Sequence, residues 1–559
     1  MNKIQPAKWL AVTMMMASVL AACSKAPGDT ASSAKPNTSS PPAGTASAQP
    51  APTGKYDPPI VVTDIRPYDD NTKFAPGDSS DNNLWSKKYE EKLGIKIKYL
   101  WTLQGPIDQY YQKLNVAIAS NDLADIVTVN AQQLKQLAEA GQIADLTSVF
   151  DKYATPFVKK TMNEDGGTAL KSATFGGKLL AIPRIGSDID EVPMLWVRTD
   201  WLKKLNLPEP KTMADVLAIS EAFTNKNPDG DGKADTFGLA LSKDLNGGFP
   251  GFEGFLNGYH AYYNVWLKDA SGKLVNSNIQ PEMKTALGEL QKLYKAKQID
   301  KEFGTKDGAK IAEMVTSGKI GMYYGLYWTP AWPLQDGKNL DPNMEWHAYP
   351  LPSVDGKPSD AQVPFSVAQY YVVRKNAEHP EAAVKMLNLW MEESFNSPPS
   401  QEKPDPRQEG IETFKHAIIA GEPITKNMGV YTHVAAALKA KDPSSLTPVE
   451  LGVYNDIMAY EKGDNKKWFN ENIYGLDGSF KIIDYYVKNN LIRRSEFFGS
   501  PTQAMGEKGS TLDTLLKETF TKIIMGAASI DEFDKFVEDW KKLGGDQITK
   551  EVNEWKTKQ

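Results

Sequence analysis

Along the chain, short β-branched stretches alternate with longer amphipathic ones. PIVVTDI (Pro59–Ile65) is brief and β-branched, which predicts a buried strand. In DNNLWSKKYEEKLGIKIKYLW an amphipathic helix is predicted to stop at Gly94 and lead into a second strand. PIDQYYQKLNVAIASNDLADIVTV (Pro106–Val129) repeats the plan as helix, loop and strand. This alternation predicts an α/β architecture with a largely parallel sheet. The glycine pair of FGGKLLAIP (Phe175–Pro183) reads as a hairpin or loop. Further on, a strand at Met194–Arg198 runs into a short helix. LPEPKT then breaks the chain, and a helix spans about Met213 to Phe223. A later strand is expected at Ile320–Tyr323, and no internal repeat of fixed period is found.

The first residues follow a different pattern. MNKIQPAKWLAVTMMMASVLAACSK has a positive start in Lys3 and Lys8, an apolar run from Trp9 to Val19, and small residues after it. That is a secretory signal peptide, expected over 1–22. The run falls short of the roughly 20 residues a membrane span needs. LAAC (Leu20–Cys23) resembles the bacterial lipobox, in which the cysteine is acylated, as with palmitate, and becomes the mature N-terminus. Cys23 is the only cysteine in the chain, so no internal disulfide can form. From residue 24 to about 57 the chain is rich in Ser, Pro, Ala, Thr and Gly with almost no large apolar side chain. This composition predicts a flexible tether behind the lipidated Cys23. The protein is thus expected on the outer face of the cell membrane, anchored by lipid rather than spanning it.

About 500 residues remain, enough for two or more domains. Apolar residues make up 41% of the chain, which supplies a sizeable core, and the net charge of −6 comes from mixed acids and bases. No basic cluster with interleaved aromatics occurs, so nucleic acid is not an expected partner.

The order strand, D-W-L-x-K-L-x-L-P-x-P-x-T, helix in VPMLWVRTDWLKKLNLPEPKTMADVLAISEAF resembles the extracellular solute-binding proteins of bacterial ABC transporters. It is closest in style to their long oligosaccharide-binding lipoproteins. TSGKIGMYYGLYWTPAW, PFSVAQYYVVRKNAEHPEAAVKMLNLWM and the C-terminal stretch from FFGSPTQAMG onward agree with that likeness. The resemblance implies a type II, periplasmic-binding-protein-like fold with two α/β lobes, a hinge and a cleft between them. Lobe one is expected over 58–197 and about 365–430, and lobe two over 198–364 and about 431–559. Crossings are expected near Met194–Asp200 and Phe365–Arg374. The implied role is capture of an oligosaccharide and its delivery to ABC permease subunits, by a protein that needs no oligomer.

Asn225–Leu241, NKNPDGDGKADTFGLAL, carries half of an EF-hand. With Asn227 first, oxygens fall at Asn227, Asp229 and Asp231, a sharp turn at Gly232, the Lys233 carbonyl, and Asp235 at position nine. Gly238 stands where an EF-hand has its closing glutamate. Some sugar-binding members of the resembled family carry a similar loop with an acid directly after position nine; here Thr236 offers a hydroxyl there. A structural Ca²⁺ away from the cleft is expected, set against a metal-free Asx/Gly turn.

Sugar sites combine aromatic platforms with polar groups at the rim. Trp328 and Trp332, in a Gly/Pro-marked loop, are the principal stacking candidates, with Tyr259 and Trp266 beside them. Arg66, Asp70, Asn130, Asp188 and Asp190 follow expected strands and are the polar candidates. A surface glycoside hydrolase is the alternative, using Asp188 with Asp190 or Glu253. A peptide receptor and an adhesive lipoprotein also stand open. No G-x-S-x-G, H-E-x-x-H or Walker A pattern occurs, and the five histidines are scattered. A binding protein rather than an enzyme is the expectation.

Overall fold

A computed structural model describes residues 54–396 and 411–559. The signal segment, Cys23 and nearly all of the tether lie outside the described residues.

Nine strands form the two larger sheets: β1 (Ile60–Tyr68), β2 (Ile95–Gln104), β3 (Ile126–Val129), β4 (Ile182–Ile185), β5 (Met194–Arg198), β6 (Phe237–Leu239), β7 (Ile320–Gly325), β8 (Trp346–Tyr349) and β9 (Val367–Val373). The first sheet has the order β2-β1-β3-β9-β4, and the second β8-β5-β7-β6. β2, β1 and β3 are parallel, as the helix–strand alternation requires. β9 then runs antiparallel between β3 and β4. In the second sheet β5 is antiparallel to both neighbours, while β7 and β6 are parallel. The sheets are therefore mixed rather than largely parallel. The antiparallel pairings join segments more than a hundred residues apart, which local periodicity does not report.

The local signals translate directly. Asn83 caps the helix that starts at Leu84, and its partner Ser86 completes a capping box. The helical run ends at Leu93 because Gly94 turns left-handed, at φ 67°. A Cβ on Gly94 would lie 2.4 Å from the Tyr56 carbonyl oxygen. Gly176 and Gly177, both at positive φ, close the small hairpin Thr174–Phe175 with Lys178–Leu179.

Each sheet has its own apolar core. Ile65, Val127, Ile182 and Tyr371 belong to the first, with Trp390. Trp196, Phe223, Met322 and Trp346 belong to the second, joined by the C-terminal helices through Leu516, Phe536 and Val552. Among the described residues the chain passes between the cores three times. Ile185 lies in the first core and Ile189 in the second; Val363 lies in the second and Val367 packs on the first; Ala420 lies in the first and Ile424 in the second. The passages are thus at 186–188, 364–366 and 421–423. Strand Met194–Arg198 lies inside the second sheet and Val367–Val373 inside the first, so neither is itself a crossing. The first expected boundary, at 197, was drawn one strand too late because a crossing is a short link between strands and carries no hydrophobic pattern of its own; the second, at about 365, falls within the observed passage, and the third, at about 430, lies about seven residues past it. Hydrogen bonds tie the passages together: Gly186 N–H donates to Ser366 O at 2.9 Å, and Glu422 N–H to Ile185 O at 3.0 Å.

Candidate functional site

A cavity of about 970 Å³ opens where the three passages meet. Gly186, Ser187 and Asp188, Pro364 to Ser366, and Gly421 and Glu422 all line it. The first sheet contributes the ends of its strands: Arg66 and Tyr68 from β1, Asn130 after β3, Arg184 from β4, and Gln369 and Tyr371 from β9. Across from them stand Asp190, Glu191, Tyr327, Trp328 and Asn427. Loops at strand ends line clefts in such sheets because the backbone there must leave the ladder.

The aromatic side is formed by Tyr327 and Trp328. Trp332 stacks on Trp328 with centroids 6.3 Å apart and planes at 20°. Trp332 itself lies outside the cavity lining, 42% exposed and edge-on to Phe249. Of the two tryptophans, only Trp328 reaches the cavity. Tyr259 and Trp266 do not line it. They are buried in the second core, against Phe255 and Phe497 respectively. Both belong to an aromatic-dense stretch whose density reflects packing.

The polar candidates divide by what they already hold. Arg66 donates to Ile418 O at 2.8 Å and Lys415 O at 2.9 Å, and also to Ala417 O. It binds the returning segment to β1 and forms part of the cavity floor. Beneath it Asp64 is 1% exposed, and neither of its oxygens has a partner. Burial pushes the Asp64 carboxyl up to about 7, against the pull of Arg66. Asp70 is exposed and off the lining; its neighbour Asp69 lines the cavity instead, paired with Lys415 at 2.7 Å. Asn130 lines the cavity while its Oδ1 caps the following helix, accepting from Gln133 N–H at 2.9 Å.

Asp188 and Asp190 sit on the short 3₁₀ turn Asp188–Glu191 just after the first passage. Asp188 Oδ2 accepts from Arg494 Nε at 2.5 Å, and its Oδ1 is buried without a partner. Asp190 Oδ2 accepts from Asn427 Nδ2 at 2.6 Å, and its Oδ1 is likewise buried without a partner. Burial raises the Asp190 carboxyl to about 7, against the Asn427 hydrogen bond. Asn427 also donates to the Tyr327 hydroxyl at 3.1 Å, so one amide fixes both groups. The sequence reading missed Asn427, Glu422 and Lys415 as lining residues. They come from a segment about 230 residues beyond Asp188, and no motif marks them.

The acidic loop is a separate place. Oxygens of Asp229, Asp231 and Asp235 lie within 4.8 Å of one another. The Asn227 amide is 2.7 Å from Asp229 Oδ1 and 3.2 Å from the Lys233 carbonyl. With its oxygen turned toward them it joins the oxygen cluster; with its nitrogen turned toward them it donates to both. Asn227, Gly230 and Gly232 all have positive φ, which folds the loop around this point. Asp235 Oδ1 is buried without a partner. These residues fit a hard cation held by oxygens. Lys319 Nζ reaches the same carboxylates, at 2.8 Å from Asp235 and 3.5 Å from Asp229 and Asp231. Thr236 does not join them: its hydroxyl donates to Phe223 O at 2.8 Å, into the preceding helix. Gly238 could not carry a closing glutamate either, because a Cβ there would meet Ser220 O at 2.3 Å.

A family model for bacterial extracellular solute-binding proteins matches residues 71–394. Lipoprotein LipO of Bacillus subtilis (strain 168) is 24% identical over 490 residues, covering 86% of this chain and 90% of its own. The polygalacturonan/rhamnogalacturonan-binding protein YtcQ of the same organism is 24% identical over 501 residues, covering 84% and 87%. Among solved structures, the S. pneumoniae ABC-transporter substrate-binding protein FusA in complex with kestose superimposes with a TM-score of 0.59 at 18% identity. It covers 89% of this chain and all of that one. The two-sheet α/β fold is thus that of a solute-binding protein.

Proposed function

The chain belongs to the bacterial extracellular solute-binding protein family, and from that membership we propose that it is a lipid-anchored receptor. In this reading it captures an oligosaccharide between two lobes and hands it to the permease subunits of an ABC importer. Lobe one would comprise about 58–185 and 367–420, and lobe two 189–363 and 424–559. Cys23 would carry the acyl chain on the outer face of the cell membrane. The observation that carries the reading is the cavity itself. All three passages between the cores line it, Tyr327 and Trp328 stand among its aromatic residues, and buried carboxylate oxygens of its lining residues have no partner. Sugars answer such a surface, since their C–H faces stack on aromatics and their hydroxyls donate to carboxylates. The short passages are the hinge, and the ligand would select the closed form by touching both sides.

A structural Ca²⁺ held by Asn227, Asp229, Asp231, Asp235 and the Lys233 carbonyl is part of the same reading. It would pin a helix-to-strand turn remote from the cavity. Two relatives frame the choice of cargo: YtcQ is named for binding acidic polysaccharides, and the FusA structure holds kestose, an uncharged sugar. The test is a thermal-melt screen against oligosaccharides with calcium present. A ligand at 100 times its dissociation constant adds about 2.7 kcal/mol to folding stability. The expected outcome is a clear upward shift with one glycan class and recovery of that glycan uncut. Cleavage during the assay would favour a hydrolase, and a shift only with peptides would replace the saccharide reading.

A further inference from the structure

We infer, resting on the saccharide-receptor reading above, that this cavity is built for an uncharged saccharide chain and rejects uronates. The inference comes from which polar groups in the cavity are already satisfied. Among the described residues, three of the four cations that line it, Arg66, Lys415 and Lys426, are held by carbonyls or carboxylates. The two terminal nitrogens of Arg66 hold three backbone carbonyls, and its Nε is buried without a partner. Lys415 sits between Asp69 and Glu412, 2.7 Å from each. Lys426 is 3.1 Å from Glu422. Arg184 is the exception in degree: it is exposed, and its contact is the neutral amide of Gln369 at 3.0 Å. A uronate carboxylate entering here would lose its water and gain no buried cation in return.

Besides Arg66 Nε and the Tyr68 hydroxyl, the unsatisfied buried groups of the lining are carboxylate oxygens. Asp188 Oδ1 and Asp190 Oδ1 are acceptors, buried and without donors. Their residues are 3% and 7% exposed, so the side chains stay fixed while the cavity is open. An ionised carboxylate has only acceptor atoms, and a second one brought beside it is repelled. A sugar hydroxyl can donate, and donation to a buried charged acceptor is the stronger class of hydrogen bond. Among the described residues the lining holds four basic side chains and five acidic ones. The acids therefore exceed the cations even before pairing is considered. Trp328 supplies a face that is indifferent to ligand charge, so the carboxylates decide the class.

The experiment measures affinity of the full-length chain in detergent, with calcium, at about pH 8 so that Asp190 is ionised. Uncharged arabino-, galacto- and fructo-oligosaccharides are set against oligogalacturonides of equal length. The expected result is binding of at least one uncharged series, with the oligogalacturonides at least ~100-fold weaker. An oligogalacturonide that binds as tightly as the best uncharged chain overturns the inference and leaves the receptor reading standing. Silence from both series overturns the receptor reading, and the inference falls with it. Asp190→Asn, with its fold checked by circular dichroism, is expected to narrow the gap between the two series. An unchanged gap would overturn the part assigned to that carboxylate.

Discussion

The buried acid of strand β1, Asp64, ties stability to pH. Asp64 is closed off with neither oxygen paired, and burial lifts its carboxyl to about 7 from the ordinary 3.8. The folded protein therefore holds this proton more tightly than the unfolded chain does. Stability contributed by the neutral form is present at low pH and is lost as the pH rises from about 4 to about 7. Asp64→Asn should match the wild type in melting temperature near pH 4.5 and exceed it at pH 8; a constant difference across that range would sink this account. Of the two stacked tryptophans, only Trp328 lines the cavity. Trp328→Ala should weaken glycan binding by about 1 kcal/mol in titration calorimetry, while Trp332→Ala leaves it nearly unchanged. From sequence these two were equal candidates. Their loop was legible, but which ring turns inward depends on Phe249, far off in the chain. Arg66 and Asn130 were legible as residues at strand ends. What they hold was not, because the carbonyls of Lys415, Ala417 and Ile418 reach Arg66 only through the fold.

At the scale of elements, local rules read well and distant pairings did not. Gly94 as a helix stop and Gly176–Gly177 as a hairpin turn follow from backbone conformation alone. Gly94→Ala should cost about 1–3 kcal/mol in urea unfolding, through both the left-handed backbone and the clash with Tyr56. The acidic loop was legible in spacing down to its missing glutamate, but Thr236 was misplaced because its hydroxyl serves the preceding helix. Lys319 was invisible, since β7 brings it alongside from about 85 residues away. Its ammonium occupies the carboxylates that a cation would use. Lys319→Met should therefore bind Ca²⁺ more tightly than the wild type and melt lower when a chelator is present. Equal calcium affinity in the two proteins, by titration calorimetry, would show that the ion uses other oxygens.

For the molecule as a whole, the α/β class was plain from alternating periods, whereas the mixed sheets and the position of the crossings were not. Each crossing is only about three residues long, and its place is set by which core the neighbouring strand joins. Because all three line one cavity, a bound ligand should draw the two sides together. Small-angle scattering should show a smaller radius of gyration with a saturating glycan, and an unchanged radius would mean that the site is already closed.

The place of β9 in the first sheet also bears on how the chain is made. β3 ends at Val129, and the strand that must lie between it and β4 begins only at Val367. At roughly 5–20 residues per second of synthesis, the first lobe waits on the order of ten seconds or more for its central strand. During that wait the edges of β3 and β4 stand open, and such edges recruit other chains. A polypeptide ending at residue 360 should accordingly fail to fold its first 130 described residues and should aggregate, although all the parallel strands are present. The first sheet is therefore expected to close only after the second half of the chain has been made, so that folding of the first lobe waits on residues 367–373.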